Sequence, residues 1–386
     1  MVSTAQSRGS TAVSQEQPGG YYGPTGRRFL LVVYGLVVLG VVFVFSSSFP
    51  RAGRPIPYHS DPYWFFKMQL QHAGIGLIAM IVVSLVPLKW IERFSRPAFL
   101  VGLILMAAAA IWGRNVGDAR CWIWGMQPSE FARIAYVAAI ATLLAEGSIN
   151  RRNTYRVVLP MIIATVLMLV VLIKQHDQGM ALLVVLLALT FAYVGGARLR
   201  YLVPVGIAVL AATFVYCSTK PYIVARVEAW LNPVEHIRGA GNHILHMLVA
   251  IARGGPFGLG LGMSPDKWKG LPVPHTDSIY CVIASELGLW GAVGLLGLFV
   301  MVAVLTFKIA RQSKSRLGYF LAAGIGISLT FQALVNIAVV TAVVPPTGLT
   351  LPFISAGGSS LVSSLIGAGL VLAVARHNQE HTGRRG

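Results

Sequence analysis

The sequence predicts an all-α protein that crosses a membrane about ten times, with one large outward loop between its seventh and eighth spans. Three observations lead there. Of its 386 residues, 55% are hydrophobic and only 11% charged, and the mean hydropathy is +0.69; an ordinary soluble domain carries roughly 25% charged residues. Apolar runs close to the roughly 20 residues that span a bilayer recur from end to end. The runs are continuous rather than alternating, which excludes an outer-membrane barrel.

Read by hydropathy, the spans fall near 29–49, 68–88, 98–113, 128–146, 157–174, 178–196, 200–217, 278–307, 316–345 and 353–375. The first 26 residues, rich in Ser, Gly, Gln and Pro, read as an unstructured tail. The first span is expected to stay uncleaved, because its apolar run is too long for a secretory signal and lacks a small-residue cleavage site. The second ends against Pro87 and Lys89, as helices often do at an interface. Pro128 and Glu130 open the fourth, where a proline and a carboxylate both suit a helix N-terminus. Asp177, just before Gly179, reads as the start of the sixth. Residues 27–376 form one transmembrane domain, and 377–386 are a short tail.

Basic residues orient the chain. Arg27 and Arg28 precede span one; Lys89, Arg93 and Arg96 follow span two; Arg151, Arg152 and Arg156 follow span four. Arg198 and Arg200 follow span six, Lys308, Arg311, Lys314 and Arg316 follow span eight, and Arg376, Arg384 and Arg385 close the chain. Every alternate connection is basic, so the positive-inside rule places both termini in the cytoplasm. The net charge of +18 is thus a topology signal, and no nucleic-acid partner is expected.

Residues 218–277 break the run of short connections and face outward in this topology. A loop of that length usually carries function or structure of its own. Ile223, Val227 and Trp230 recur at helical spacing, and Ile244 to Ile251 suggests a second amphipathic helix against the membrane surface. At the loop's end lies Asp277, in a chain with 13 acidic residues. A carboxylate at a membrane interface is costly unless it works. Its bland alternative is a helix N-cap, since Thr276 and Asp277 immediately precede span eight.

Other motifs carry less. Gly258-x-Gly-x-Gly262 is no phosphate-binding P-loop, because no Gly-Lys-Ser/Thr follows and no strand precedes it. Cys121, Cys217 and Cys281 have neither metal-ligand spacing nor an even count. His243 and His246 fall on one helix face and read as surface contacts. No cluster of carboxylates marks a metal site, so no cofactor is expected. A divalent cation, Mg²⁺ or Mn²⁺, stays open as the companion of a phosphorylated substrate.

Four ordered blocks resemble the SEDS family (FtsW, RodA and SpoVE), ten-span glycosyltransferases that polymerise peptidoglycan. They are Gly117-Asp-Ala-Arg-Cys-Trp122 with Gln127-Pro-Ser-Glu-Phe-Ala-Arg133; His176-Asp-Gln-Gly179; Gly258 to Gly262 with Ser264, Lys267 and Leu271-Pro … His275-Thr-Asp277; and Gln332, Asn336-Ile337, Pro345, Gly348 to Ser355 and Gly357-Gly-Ser-Ser360. The resemblance runs over roughly residues 29–376. Departures are His176 for Pro, Asp266 for Gln, Val273 for Glu, Ser278 for Phe, Ser285 for Glu and Ala356 for Tyr. Gly348-Leu-Thr-Leu-Pro is more similar to the division-type FtsW branch than to RodA.

The resemblance implies that Asp277 is the catalytic base, worth typically ~10²–10⁴-fold in rate. It also implies contacts to substrate for Arg120, Trp122, Arg226, Lys267 and His275. Cations suit a departing diphosphate, although basic residues at an interface commonly meet lipid headgroups instead. Trp122 suits a sugar face or an interfacial anchor. Implied partners are lipid II, the nascent glycan strand, a class B penicillin-binding protein, further division or elongation proteins, and membrane lipids. Glu130 and Asp177 read as structural caps, with Glu130 also placed to orient Arg120. Two other classes compete. A lipid II flippase would place polar groups along a path to both faces, and a recruiting scaffold would tolerate loss of Asp277.

Overall fold

The computed structural model describes residues 21–52, 61, 63–116, 119–147, 155–237, 239–269, 271 and 274–382. Thirteen helices and one small hairpin are found among them. In order they are α1 (Gly23–Ala52), α2 (Trp64–Leu85), α3 (Leu88–Trp112), β1 (Arg114–Val116), β2 (Ala119–Trp122), α4 (Pro128–Glu146) and α5 (Tyr155–Gln175). There follow α6 (Gln178–Val194), α7 (Leu199–Ser218), α8 (Pro221–Leu231), α9 (Ala240–Gly254), α10 (Asp266–Lys269), α11 (Ile279–Gln312), α12 (Arg316–Val340) and α13 (Gly358–Thr382).

Among the described residues, eight helices are long and apolar enough to cross a bilayer: α1 to α5 and α11 to α13. α6 and the described part of α7 are shorter apolar helices in the places of the sixth and seventh expected spans. α13 packs along α2, α3 along α4, and α11 along both α12 and α1. α4 and α13 are the enclosed members, with 78% and 83% of their apolar stretch buried, against 28% for α2 and α5. Close approach at the centre depends on small residues. A Cβ on Gly369 of α13 would come within 2.6 Å of the Met80 carbonyl oxygen of α2.

Several boundaries move from expectation for local reasons. The third span begins at Leu88, not 98, because the charged turns around Lys89, Arg93 and Arg96 continue the same helix through Pro97. Their amphipathic surface lowers the hydropathy without ending the helix. The ninth span stops at Val340 instead of 345: Ala342 turns left-handed at φ 56°, and Pro345 and Pro346 follow. The tenth begins at Gly358 and runs to Thr382, so most of the expected C-terminal tail is helical. Residues 23–26 of the expected N-terminal tail already belong to α1; residues 1–20 lie outside the described residues, as do Arg151, Arg152, Arg384 and Arg385.

The two ends of the bundle differ chemically. At one end, Arg316 donates to the carbonyls of Leu144 and Gly147, Arg376 to Leu85, and Asn378 to Ile309. Arg96 pairs with Glu146 there. These contacts gather the basic connections. At the opposite end lie the hairpin β1–β2, helices α8 to α10, and a buried irregular segment, 341–357, between α12 and α13. Irregular backbone at membrane depth is tolerated where protein encloses it. Leu349, Leu351, Phe353 and Ile354 of that segment are all buried.

Both helices expected within residues 218–277 are present, as α8 and α9. The loop also enters α11. Gly288 breaks α11 with φ 70°, and the Gly255–Gly260 stretch fills the gap. The amides of Leu259 and Gly260 donate to the carbonyls of Ser285 and Glu286, while Leu289 donates to Gly255. A Cβ on Gly258 would meet the Glu286 carbonyl oxygen at 2.2 Å, which accounts for the glycine-rich run.

Candidate active site

Asp277 lies in the turn ahead of α11, and its backbone is held from the facing elements. Asn336, near the end of α12, donates its amide to the Asp277 carbonyl at 3.1 Å and to that of Leu349 at 2.7 Å. The Ser355 hydroxyl donates to the Thr276 carbonyl at 2.7 Å, and the Ala356 amide to that of His275 at 2.8 Å. Ser355 is itself fixed by accepting from the Leu351 amide. The helix cap is Ser278, and it makes no side-chain capping bond. The Asp277 carboxyl is therefore not spent on capping, which corrects the bland alternative drawn from sequence.

That carboxyl faces the backbone of Gly348, where a Cβ would lie 3.9 Å from Oδ2 and φ is 72°. Among the described residues no cation pairs with it, and burial pushes its pKa up to about 7. A carboxylate so poised is half deprotonated near neutrality and suits general-base work.

Beyond Gly348 the 341–357 segment meets a second polar cluster. A Cβ on Gly179 would come within 2.6 Å of the Thr347 carbonyl oxygen, so α6 begins directly beneath this strap. Asp177 caps α6 by accepting from the Met180 amide, and it also accepts from Gln127 and Ser129 of the α4 start. Burial, with the Glu130 charge second among the raising influences, lifts the Asp177 carboxyl above its ordinary range. The cap expected of Asp177 is thus observed. Glu130 is different: it is 2% exposed and pairs with Arg133, itself 0% exposed, at 2.8 Å. Ser328 and Ser363 complete this pair from α12 and α13. Glu130 is a buried ion-pair member, with its carboxylate committed to Arg133 rather than to capping α4 or orienting Arg120.

The remaining sequence-predicted residues are spread around this centre. His275 is buried and packs on the ring of Phe65 of α2, centroids 4.2 Å apart. Lys267 points into the bundle, where its amine meets Glu286 of α11 at 2.9 Å and Ser46 of α1 at 3.1 Å. Arg120 is exposed on β2 and donates to the Gly113 carbonyl. Trp122 lines an open cleft of about 600 Å³ with Trp112, Arg114 and Trp124. β2 packs on α3, α4 and α5. Arg226 is half-buried on α8. Asp277 and His275 thus share one clamped segment, whereas Arg120 and Trp122 form a separate group on the hairpin.

Sequence reasoning passed over Glu286, Asn336 and the Glu130–Arg133 pair as working parts. The available signals were an acid in an otherwise apolar span and a Glu-x-x-Arg spacing, which places opposite charges on one helix face.

These features define a polytopic helical membrane protein with a desolvated carboxylate clamped at one end of its bundle. The model of the FtsW/RodA/SpoVE family, described as cell cycle protein, matches residues 27–380, and the chain belongs to that family. It is 33% identical to the stage V sporulation protein E of Bacillus subtilis, over 92% of this chain and 98% of that one. It is 35% identical to a probable peptidoglycan glycosyltransferase FtsW of Geobacter metallireducens, over 89% of this chain and 93% of the relative. Among solved structures, a chain of a peptidoglycan synthase complex superposes with a TM-score of 0.75 at 29% identity, covering 91% of this chain and 98% of that one. The rod shape determining protein RodA of Thermus thermophilus gives 0.66 at 28% identity, covering 91% and 96%.

Proposed function

We propose that this chain is a peptidoglycan glycosyltransferase that polymerises lipid II into glycan strands and releases undecaprenyl diphosphate. The observation that carries the reading is Asp277: a single, desolvated carboxylate with its backbone immobilised and its side chain committed to no partner among the described residues. In the reaction, Asp277 takes the proton of the acceptor sugar's 4-hydroxyl. That oxygen bonds to the anomeric carbon of the lipid-linked chain, and the bond from that carbon to the diphosphate oxygen breaks. The diphosphate leaves with the electron pair, and one displacement inverts an α-linked donor into a β-1,4 glycan.

Polymerisation of lipid II by purified protein tests this. Asp277→Asn should lose at least about a hundredfold in rate, and full activity in that variant would contradict the assignment. A flippase would instead move labelled lipid II across liposomes without forming polymer.

Supporting cations are Arg120 and Arg226, with Trp122 offered to a sugar face. Lys267 and His275 support the site from within, given the partners they meet. Among the described residues no group of three or more His, Cys, Asp or Glu side chains gathers. A Mg²⁺ or Mn²⁺ ion would therefore arrive on the diphosphate, and a chelator titration reads its contribution. The ten-span count, the outward direction of residues 218–277 and the cytoplasmic termini complete the reading. So do septal synthesis as the setting and a class B penicillin-binding protein as partner. The similarity to a chain of a peptidoglycan synthase complex supports the last point.

A further inference from the structure

The chain turns from α2 into α3 in two residues: Val86 is extended, and Pro87, at φ −62°, caps α3. Beyond the turn α2 packs on α13 and α3 on α4, while α4 and α13 touch each other. Between the two pairs, at the basic end, lies an open groove of about 740 Å³. Leu85 of α2, Trp90 and Phe94 of α3, Ala138 of α4 and Leu370 of α13 line it. Apart from the half-exposed Trp90 indole, its only polar side chain is Ser95. That hydroxyl is already bonded to Thr142 and to the Glu92 carbonyl, each at 3.0 Å. The groove therefore suits an apolar occupant.

Its rim is cationic. At helical spacing Trp90 and Phe94 form one stripe of α3, and Lys89 and Arg93 form the next. The two rings stack, with centroids 5.5 Å apart. Lys89 and Arg93 are exposed and make no ion pair among the described residues. Of the acids at this end, Glu146 is taken by Arg96 and Glu380 by Arg376, which also donates to the Leu85 carbonyl at 2.8 Å. Glu92 is exposed, and helical spacing puts it on the far side of the basic stripe from the rings. An apolar channel with two uncommitted cations at its edge thus opens between helices that cross the membrane.

We infer that this groove seats one acyl chain of an anionic phospholipid, whose headgroup phosphate is held by Lys89 and Arg93. Basic residues beside a membrane attract anionic lipid by charge alone; the channel next to them adds a fixed seat for the chain. The charge selects the headgroup, and the absence of free polar groups in the wall selects the tail. The seat lies at the opposite end of the bundle from Asp277, so it stands apart from the glycosyltransferase reading. A lipid held only by the folded protein raises its stability as lipid is added.

The test adds phosphatidylglycerol or phosphatidylcholine with identical chains to the full-length protein in a neutral detergent. Native mass spectrometry counts the bound lipid. Wild type should prefer phosphatidylglycerol by about thirtyfold, the contribution of two cations at an anionic headgroup, and its thermal midpoint should rise with that lipid. Lys89→Gln/Arg93→Gln should bring the preference close to one, whereas Lys89→Arg/Arg93→Lys should keep it. Ala98→Trp, placed on an exposed lining position of α3, should fill the groove and abolish the seated lipid. Equal binding of the two lipids by wild type would overturn the inference, leaving only an apolar surface. So would unchanged phosphatidylglycerol binding in Ala98→Trp, which would mean headgroup attraction without a seat. Competition by glycerol phosphate would show that no chain is needed, and a dimer dissociated by Ala98→Trp would assign the groove to a second copy of the chain; either would also overturn it.

Discussion

At Asp277, chemistry and stability pull in opposite directions. Burial raises its pKa to about 7, so the base form grows as pH rises through neutrality. The turnover rate of polymerisation should climb roughly tenfold between pH 6 and pH 8 and then level, as one base requires. Stability runs the other way. The folded-state pKa exceeds the unfolded value, so the native state binds the proton more tightly and stability falls as pH rises from the ordinary carboxylate range through about 7. Asp277→Asn should therefore raise the thermal midpoint at pH 8 and leave it nearly unchanged at pH 4, measured by scanning fluorimetry. A site that destabilises its own fold in the active state is a common cost of function. A second residue-scale case is His176. It closes α5 at φ 58°, a left-handed conformation that proline, locked near −65°, cannot adopt. The departure from the family's proline is thus matched by the backbone found here. His176→Pro should destabilise the protein by about 3 kcal/mol or more, read from the shift in the same melting curve.

Elements are joined by ion pairs whose value depends on both partners being present. Lys267 of α10 and Glu286 of α11 are each almost wholly enclosed, at 3% and 0% side-chain exposure. Removing one leaves the other buried and uncompensated, at about 3–5 kcal/mol, whereas replacing both by apolar residues is often nearly neutral. Lys267→Met and Glu286→Leu should each lower the melting temperature sharply, and the double variant should recover most of the loss. An additive double variant would show that the pair carries no coupling. The elements themselves were legible in the sequence because apolar runs and amphipathic spacing are local signals, and α8 and α9 emerged from that spacing alone. What stayed hidden depends on contact between distant residues. No local pattern says that Gly255–Gly260 will fill a break in α11 at Gly288, that Lys267 will turn inward to Glu286, or that Ser278 will take the cap position ahead of Asp277. The hairpin of residues 114–122 was missed for a similar reason: three- and four-residue strands pair only with each other and leave no periodicity to read.

For the molecule as a whole, the organising asymmetry is between a basic end and the end that carries Asp277. Arg316, Arg376 and Asn378 bind helix-terminal carbonyls at one end, while Asp277, Asn336 and the 341–357 strap gather at the other. Charge counts along the sequence predict which end stays in the cytoplasm, because basic loops resist translocation. The polymerase reading requires the Asp277 end to face outward, where glycan is laid down. Single cysteines test this directly. Phe257 is 82% exposed in the loop between α9 and α10, and Lys314 stands in the basic turn between α11 and α12. Cys121 and Cys281 are buried, so their background labelling should be low, and Cys217 can be replaced by Ser. In intact spheroplasts a membrane-impermeant maleimide should modify Phe257→Cys and spare Lys314→Cys. Permeabilised cells should give both. The reverse pattern would put the carboxylate on the cytoplasmic side, out of reach of an outward-facing glycan strand, and a polymerase with that orientation could not supply the wall.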